Sequence, residues 1–347
     1  DNSQTGPDCE NEPMTIQWFL GHMATTKRTI AERMKAGIDV VIEMLDARLP
    51  GSSANPLLGD LTRAKPTLKI LNKQDLADPA CTAAWLAHYN ALPGTRAIGL
   101  DASETAPAQR LIAASKELAP FRGGLVKPLR LLICGVPNVG KSTLINTLAG
   151  KRAAKTGDEP GITKQEQRIA LASDVYLYDT PGMLWPKILV DQSGYNLAAS
   201  GAVGRNALEE EVVAAELLGY VRCHYPGRIE ARYKLGEPRG GKGAQADIAA
   251  LNDAELLEAI GRRRGAVLPG GRINVQKAAE IVLNEFRSGA LGRVSLETPE
   301  ELAEWTAAAV AAEAEREKER GTRRQRGCAV QFDDEAPAGG GDDPGAA

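Results

Sequence analysis

Glycines at 135 and 140, a lysine at 141 and a serine at 142 stand in the order G-x-x-x-x-G-K-S. That spacing suits the binding of a polyphosphate. Small residues let successive backbone N–H groups close around phosphate oxygens, and the positive N-terminal end of the next helix adds to them. Gly135, Pro137, Asn138, Val139, Gly140, Lys141, Ser142 and Thr143 form the candidate cradle. Lys141 would reach the outer phosphates, and the Ser142 hydroxyl would hold Mg²⁺. A Gly-rich chain can carry such a string by chance. Here Leu129–Cys134 before it reads as a buried strand and Thr143–Leu148 after it as the first turns of a helix, which is the context this chemistry needs.

A second constellation lies upstream. Asn72-Lys-Gln-Asp75 follows the apolar run Thr67–Leu71. Guanine presents N1–H and its amino group side by side, and one carboxylate, Asp75, can accept both. Adenine has no such donor pair and would leave a buried Asp75 unsatisfied. Asn72 would tie this loop to the phosphate loop, and the Lys73 stem would cover a face of the base. Alone, N-K-x-D is a common polar turn; beside a phosphate loop it points to a guanine nucleotide. Asp101 and Ala102, at the end of the expected strand Arg96–Leu100, stand where a backbone N–H would meet the guanine carbonyl.

Two further stretches complete the set. Lys155–Thr163 is rich in Gly and Pro, which marks a loop, and Thr163 would contact Mg²⁺ and the γ-phosphate. Asp179-Thr-Pro-Gly182 ends an expected hairpin of strands (Gln165–Leu171 and Asp174–Tyr178); Asp179 would hold Mg²⁺ through water and the Gly182 N–H would sense the γ-phosphate. Residue 183 is Met, where a Ras-like enzyme places a glutamine to orient the attacking water. Slow intrinsic hydrolysis follows, with some other group acting on the water. The order is also unusual: N-K-x-D precedes the phosphate loop, the Thr163 loop and D-x-x-G. These are the parts of a Ras-like domain circularly permuted, which an open α/β sheet tolerates because its ligand loops stay at one edge.

The elements that must hold these residues are legible in outline. Strands are expected over Asp39–Leu45, Thr67–Leu71, Arg96–Leu100 and Leu129–Cys134, and helices over 23–36, 80–91 and 108–118. Beyond Trp185 the pattern turns helical, over 195–223, 251–261 with Gly261 as its stop, 275–287 and 300–320, followed by a basic linker at Gly321–Gly327. The 347 residues suit more than one unit. Hydrophobic content of 43% with 4% aromatic implies cores of Ala, Leu, Val and Ile. Five cysteines without a C-x-x-C pair suggest reduced thiols rather than disulfides or zinc. No run reaches membrane-spanning length, and the reading is a cytoplasmic protein. The net charge of −3 conceals acidic ends. Residues 1–13 carry four acids and 332–347 five, neither with a base; setting these nine aside leaves 36 acids against 42 bases, so the body is about +6. Such a body fits a nucleic-acid partner without demanding one. Met14 is a candidate natural start, with the residues before it an upstream extension.

Taken together, Trp18-Phe-Leu-Gly-His-Met23, Asp46-Ala-Arg-Leu-Pro50, Asn72–Asp75, the phosphate loop, Ala154–Asp158, Pro160–Thr163, Asp179–Gly182, Arg264-Gly265 and Gly270-Gly-Arg-Ile273 resemble the circularly permuted GTPases of the ribosome biogenesis GTPase A (RbgA/YlqF) type over roughly residues 15–298. Leu20 departs from the proline of the family's W-F-P-G-H-M box, and Thr25 from a common lysine. The resemblance implies an α/β, circularly permuted Ras-like P-loop GTPase domain (14–189), then a small all-α domain (190–298) for RNA or ribosome binding. A disordered extension (1–13) would precede them and a charged helix with a disordered acidic tail (299–347) follow. It implies a GTP-hydrolysing factor, monomeric off the ribosome and not membrane-bound, that assists assembly of the large ribosomal subunit. It would bind rRNA or the pre-subunit in its GTP state and leave on hydrolysis. It also implies His22 as the group that acts on water, beside Lys141 and Thr163 as candidate catalytic residues, and Asn138 as a K⁺ ligand, as in potassium-dependent relatives. The rival readings are a P-loop ATPase or nucleotide kinase, which Asn72 and Asp75 oppose; a GTP-dependent switch on another RNA or protein partner, with hydrolysis incidental; and a GTPase acting on tRNA or at a membrane.

Overall fold

The chain V-V-I-E-M-L-D at 40–46 is buried at every position, as a strand covered on both faces must be. In the computed structural model, which describes residues 20–101, 107–149, 168–185, 188–204, 208–235 and 250–330, this strand is central. Helix α1 (Leu20–Ala36) precedes β1 (Val40–Asp46). There follow α2 (Pro56–Thr62), β2 (Thr67–Asn72), α3 (Pro79–Asn90), β3 (Thr95–Gly99), α4 (Pro107–Leu118), β4 (Leu129–Gly135), α5 (Lys141–Leu148), β5 (Arg168–Ala172) and β6 (Val175–Asp179). The described strands form one sheet in the order β3-β2-β1-β4-β6-β5. All pairings are parallel except β5 with β6, the expected hairpin. Helices α2 and α3 start with proline at the first turn behind Asn55 and Asp78, whose side chains accept from the first free N–H groups.

After the sheet come α6 (Asp191–Ser200), α7 (Glu210–His224), α8 (Arg228–Tyr233), α9 (Asp253–Arg264), α10 (Val275–Arg287) and α11 (Pro299–Val330). One hydrophobic core runs from the sheet (Val40, Ile42, Leu131, Ile133) into these helices (Leu217, Leu256, Val282, Phe286). The structure divides into two compact units, one ending at Leu302 and one beginning at Ala303. In the second, α11 runs on as a charged helix with most described side chains exposed.

Strand and helix ends up to Asp179 fall within about two residues of the sequence reading, apart from α1, which starts at Leu20 rather than 23, and β5, which is described from Arg168 where the reading began at Gln165. The helical part departs further. The stretch 195–223 is two helices, because Gly201 takes a left-handed φ of 81° and closes α6. Gly261 does not stop α9. It lies inside the helix, where a Cβ would come 2.7 Å from Ile273 Cγ2, and the stop is Gly265 at φ 73°. The stretch 321–327, expected as a basic linker, is helical backbone within α11. Residues 1–19 and 155–163, about which the sequence raised expectations, lie outside the described residues.

Candidate functional site

Four strands end together. In the sheet register Asp46 lies beside Asn72, Met44 beside Gly135, and Ile133 beside Asp179. The loops after β1, β2, β4 and β6 therefore emerge at one edge, the C-terminal edge of the parallel strands, where open α/β sheets bind ligands. Strand order changes direction at the neighbours β1 and β4, which opens the crevice that a ligand enters.

The phosphate loop occupies the end of β4. Gly135 packs so closely that a Cβ would stand 2.7 Å from the Met44 carbonyl oxygen. Asn138 (φ 57°) and Gly140 (φ 98°) take left-handed conformations on either side of Val139, and this alternation curls backbone N–H groups toward a common point. Gly140 caps α5 without any side-chain hydrogen bond. The first-turn N–H groups of that helix are thus not consumed by a capping side chain, as an anion cradle requires. Lys141 is buried and donates to Asp179 Oδ1 at 2.6 Å, so the residues expected to serve the phosphates and the metal already meet. The Met183 backbone N–H donates to the Gly135 carbonyl at 3.1 Å, and a Cβ on Gly182 would lie 3.1 Å from Pro137 Cα and N. The D-x-x-G turn thus lies directly on the phosphate loop.

The N-K-x-D loop joins the same group. Asn72 Nδ2 donates to the Val139 carbonyl at 2.7 Å and Lys73 Nζ to the Asn138 carbonyl at 2.8 Å. Lys73 holds a left-handed φ of 61°, uncommon for a side chain of that size. Its ammonium also donates to Asp46 Oδ2 at 3.0 Å. Asp46 in turn holds Arg48 through Nε at 2.9 Å and Nη2 at 2.7 Å. Burial alone would raise the Asp46 carboxyl, but Arg48 and Lys73 outweigh it and hold it well below the usual carboxylate range. Asp75 is exposed at the rim, so only the bound base itself would desolvate it. Asp101 is half-buried just past β3. Ser142 is half-buried and Thr143 exposed on the first turn of α5. Ala102 and Thr163 lie outside the described residues.

Met183 is buried among Ile30, Ile38, Val41, Leu58, Leu132 and Cys134. Its side chain fills a core and is turned away from the work of orienting water. Ile30 belongs to α1, so the helix whose first turns carry His22 packs in the same cluster as residue 183. Asn138, the candidate K⁺ ligand, donates through Nδ2 to the Gly201 carbonyl at 2.8 Å; a cation would have to be met by the amide oxygen. Among the described residues no group of three His, Cys, Asp or Glu side chains could enclose a metal ion. One buried carboxylate, Asp179, and one hydroxyl, Ser142, suit instead a hard cation such as Mg²⁺, which takes most of its ligands from phosphate and water.

The sequence reading passed over Asp46 and Arg48 as chemistry, although a D-x-R pair at the end of a mostly apolar strand was the visible signal. No described helix is long and apolar enough to cross a membrane.

Residues 130–221 match a family model described as 50S ribosome-binding GTPase. The chain is 42% identical over 296 residues to the ribosome biogenesis GTPase A of Priestia megaterium, a match spanning 83% of this chain and 98% of that protein. It is 43% identical over 298 residues to that of Bacillus cereus, across 84% and 96%. A crystal structure of GNP-bound YlqF from T. maritima superposes with a TM-score of 0.55 at 28% identity, covering 80% of this chain and 99% of that one.

Proposed function

The chain belongs to the ribosome biogenesis GTPase A family, and from that premise we propose that it hydrolyses GTP while assisting assembly of the bacterial large ribosomal subunit, binding in its GTP state and leaving on hydrolysis. The observation that carries the nucleotide part is the junction of the two recognition loops, with Asn72 on the Val139 carbonyl at 2.7 Å and Lys73 on the Asn138 carbonyl at 2.8 Å. A base reader and a phosphate reader locked side by side fit one ligand, a guanine nucleotide.

Asp75 accepts the paired donors of guanine and Asn72 fixes the distance from base to phosphates. The loop N–H groups of residues 138–143 surround the phosphates. Lys141 exchanges its contact with Asp179 for the outer phosphates. Ser142 and Asp179, with Thr163, would hold Mg²⁺, which when bound neutralises charge on the β- and γ-phosphates. Asn138 is the ligand for K⁺ if that ion takes part. Because Met183 is packed into the core, water has no partner from residue 183, and intrinsic turnover is slow. His22, on the helix packed beside Met183, orients or deprotonates the attacking water once the ribosome brings it to the site; an imidazole suits that role near neutral pH. Residues 14–189 form the GTPase part, 190–298 the RNA- or ribosome-binding part, and 299–347 a charged extension. The protein acts as a cytoplasmic monomer between visits to the ribosome.

The experiment is the GTP hydrolysis rate with and without purified large subunits in K⁺ buffer, with Lys141→Ala as the blank. Strong stimulation is expected, as are a lower stimulated rate in His22→Ala with unchanged GTP binding and a lower rate in Na⁺. Lack of stimulation, together with nucleotide-dependent RNA binding, would replace this reading by a switch on another RNA or protein partner.

A further inference from the structure

We propose that Asp46 is a positioning residue: it holds the guanine-reading lysine, Lys73, in its working pose and, through Arg48, ties occupancy of the base pocket to the end of helix α10. The inference rests on the reading of the site as a guanine-nucleotide pocket and adds to it a residue that does not touch the ligand.

The carboxylate closes β1 at 2% exposure and is fully engaged. Oδ2 accepts from Lys73 Nζ at 3.0 Å and from Arg48 Nη2 at 2.7 Å. Oδ1 accepts from Arg48 Nε at 2.9 Å and from the Arg48 backbone N–H at 3.1 Å. The Asp46 N–H donates to Ser53 Oγ at 3.0 Å, which fixes the backbone beneath it. Only a carboxylate can accept from two cations at once; an asparagine would turn a donor toward one of them. Lys73 needs such a holder. It sits at a left-handed φ, and its stem must lie along a base while its ammonium bridges to the phosphate loop.

Arg48 carries the connection outward. It is 1% exposed, its Nη1 donates to the Phe286 carbonyl at 3.3 Å, and its guanidinium lies 4.6 Å from the centre of the Phe286 ring. The Arg48 carbonyl accepts from the Leu296 N–H at 2.7 Å. The neighbour of Phe286 closes a second route. Arg287 donates to the carbonyls of Ala199 at 2.9 Å and Ala198 at 3.0 Å, at the end of α6, and the next turn offers the Gly201 carbonyl to Asn138 Nδ2 at 2.8 Å. Phe286 and Arg287 are thus linked to Asn138 through Lys73, Asp46 and Arg48 on one side and through α6 on the other. Ordering of Lys73 by a base stabilises the Arg48–Phe286 contact. By reciprocity, a partner that displaces the end of α10 weakens the nucleotide.

The test uses the full chain and a fluorescent GDP analogue. Asp46→Asn is expected to weaken analogue binding about tenfold or more, a difference of roughly 1.4 kcal/mol per decade. GDP is expected to slow hydrogen exchange in peptides covering 284–298 of the unaltered protein. Lys73→Met keeps the Asp46–Arg48 pair and so remains folded. At GDP concentrations that saturate it, that variant is expected to lose the slowing at 284–298 while keeping it at 135–143. Wild-type affinity in folded Asp46→Asn, or equal slowing at 284–298 in Lys73→Met, would overturn the inference while leaving the pocket reading intact. Failure of the unaltered protein to bind the analogue would overturn both.

Discussion

Two buried carboxylates join the sheet to the C-terminal helices, and they are kept in opposite ways. Asp46 is held by two cations, Arg48 and Lys73, beside the nucleotide loops. Glu297, at 0% exposure, is held by a hydroxyl, an amide and backbone N–H groups, with no cation among these partners. The Ser52 N–H donates to Glu297 Oε1 at 2.7 Å, Ser52 Oγ shares a short hydrogen bond with Oε2, and Asn196 Nδ2 donates to Oε2 at 3.1 Å. Burial raises the Glu297 carboxyl, and the bonds from Ser52, Asn196 and Gly51 only oppose it. The first seam is ionic, the second closer to a neutral acid. A seam next to phosphate binding gains from charge that orients Lys73; a seam remote from the ligand needs only shape and hydrogen bonds.

The largest effect that would sharpen this contrast is expected at Asp46. Asp46→Asn leaves Arg48 and Lys73 without the charge that balances them, and removing one member of a buried ion cluster costs about 3–5 kcal/mol. Urea unfolding at pH 7 reads this directly. Because the folded carboxyl lies below its ordinary value of 3.8, its stabilising contribution is complete above that value and fades as the pH falls through it. The gap between the unaltered protein and Asp46→Asn is therefore expected to shrink toward pH 3. A gap constant from pH 7 to pH 3 would mean that the seam is not ionic.

The second seam responds first to volume. A Cβ on Gly51 would stand 2.1 Å from Leu302 Cδ2 and 2.7 Å from a ring carbon of Trp85. Trp85 is itself anchored, its indole N–H donating to the Glu297 carbonyl at 3.0 Å. Gly51→Ala is expected to cost about 1–3 kcal/mol by overpacking, with no change in nucleotide affinity. A variant within about 0.5 kcal/mol of the unaltered protein would show that this seam yields, and that its packing is looser than the ionic one.

These seams also mark where sequence reading stopped. The phosphate loop, N-K-x-D and D-x-x-G were legible because each works through backbone shape or one side chain at a fixed spacing, and each follows an apolar strand that announces itself. Asp46, the last residue of β1, and Arg48 just past it stand in plain view, yet what makes them a junction is Phe286, 238 residues from Arg48. Glu297 likewise depends on Ser52 and Asn196, 245 and 101 residues distant. Local pattern carries no trace of such partners. The two glycines near the end of α9 show the same limit at short range. Gly261 and Gly265 both suit a helix stop, and only the approach of Ile273 to Gly261 reveals which one serves packing and which one ends the helix.

The smallest expected effect is the most discriminating. Protonated Glu297 would donate from Oε2 to Ser52 Oγ, which would pass its own hydrogen to Ser193 Oγ at 3.0 Å. A glutamine can imitate that acid, except that its second amide hydrogen would face Asn196 Nδ2. Glu297→Gln is therefore expected to change stability at pH 7 by no more than about 1 kcal/mol, the scale of one net hydrogen bond. Its pH dependence has the opposite sign to that of Asp46. With the folded carboxyl raised above its ordinary 4.5, the contribution of Glu297 is complete below that value and is lost as the pH rises through the folded one. In a scan from pH 3 to pH 8, stability should move in favour of Glu297→Gln as the pH rises, while the rise from pH 3 to about pH 4 moves it against Asp46→Asn, which then stays level. If both variants fall behind the unaltered protein as the pH rises, Glu297 is an anion stabilised by its donors, and the two seams work by the same electrostatics.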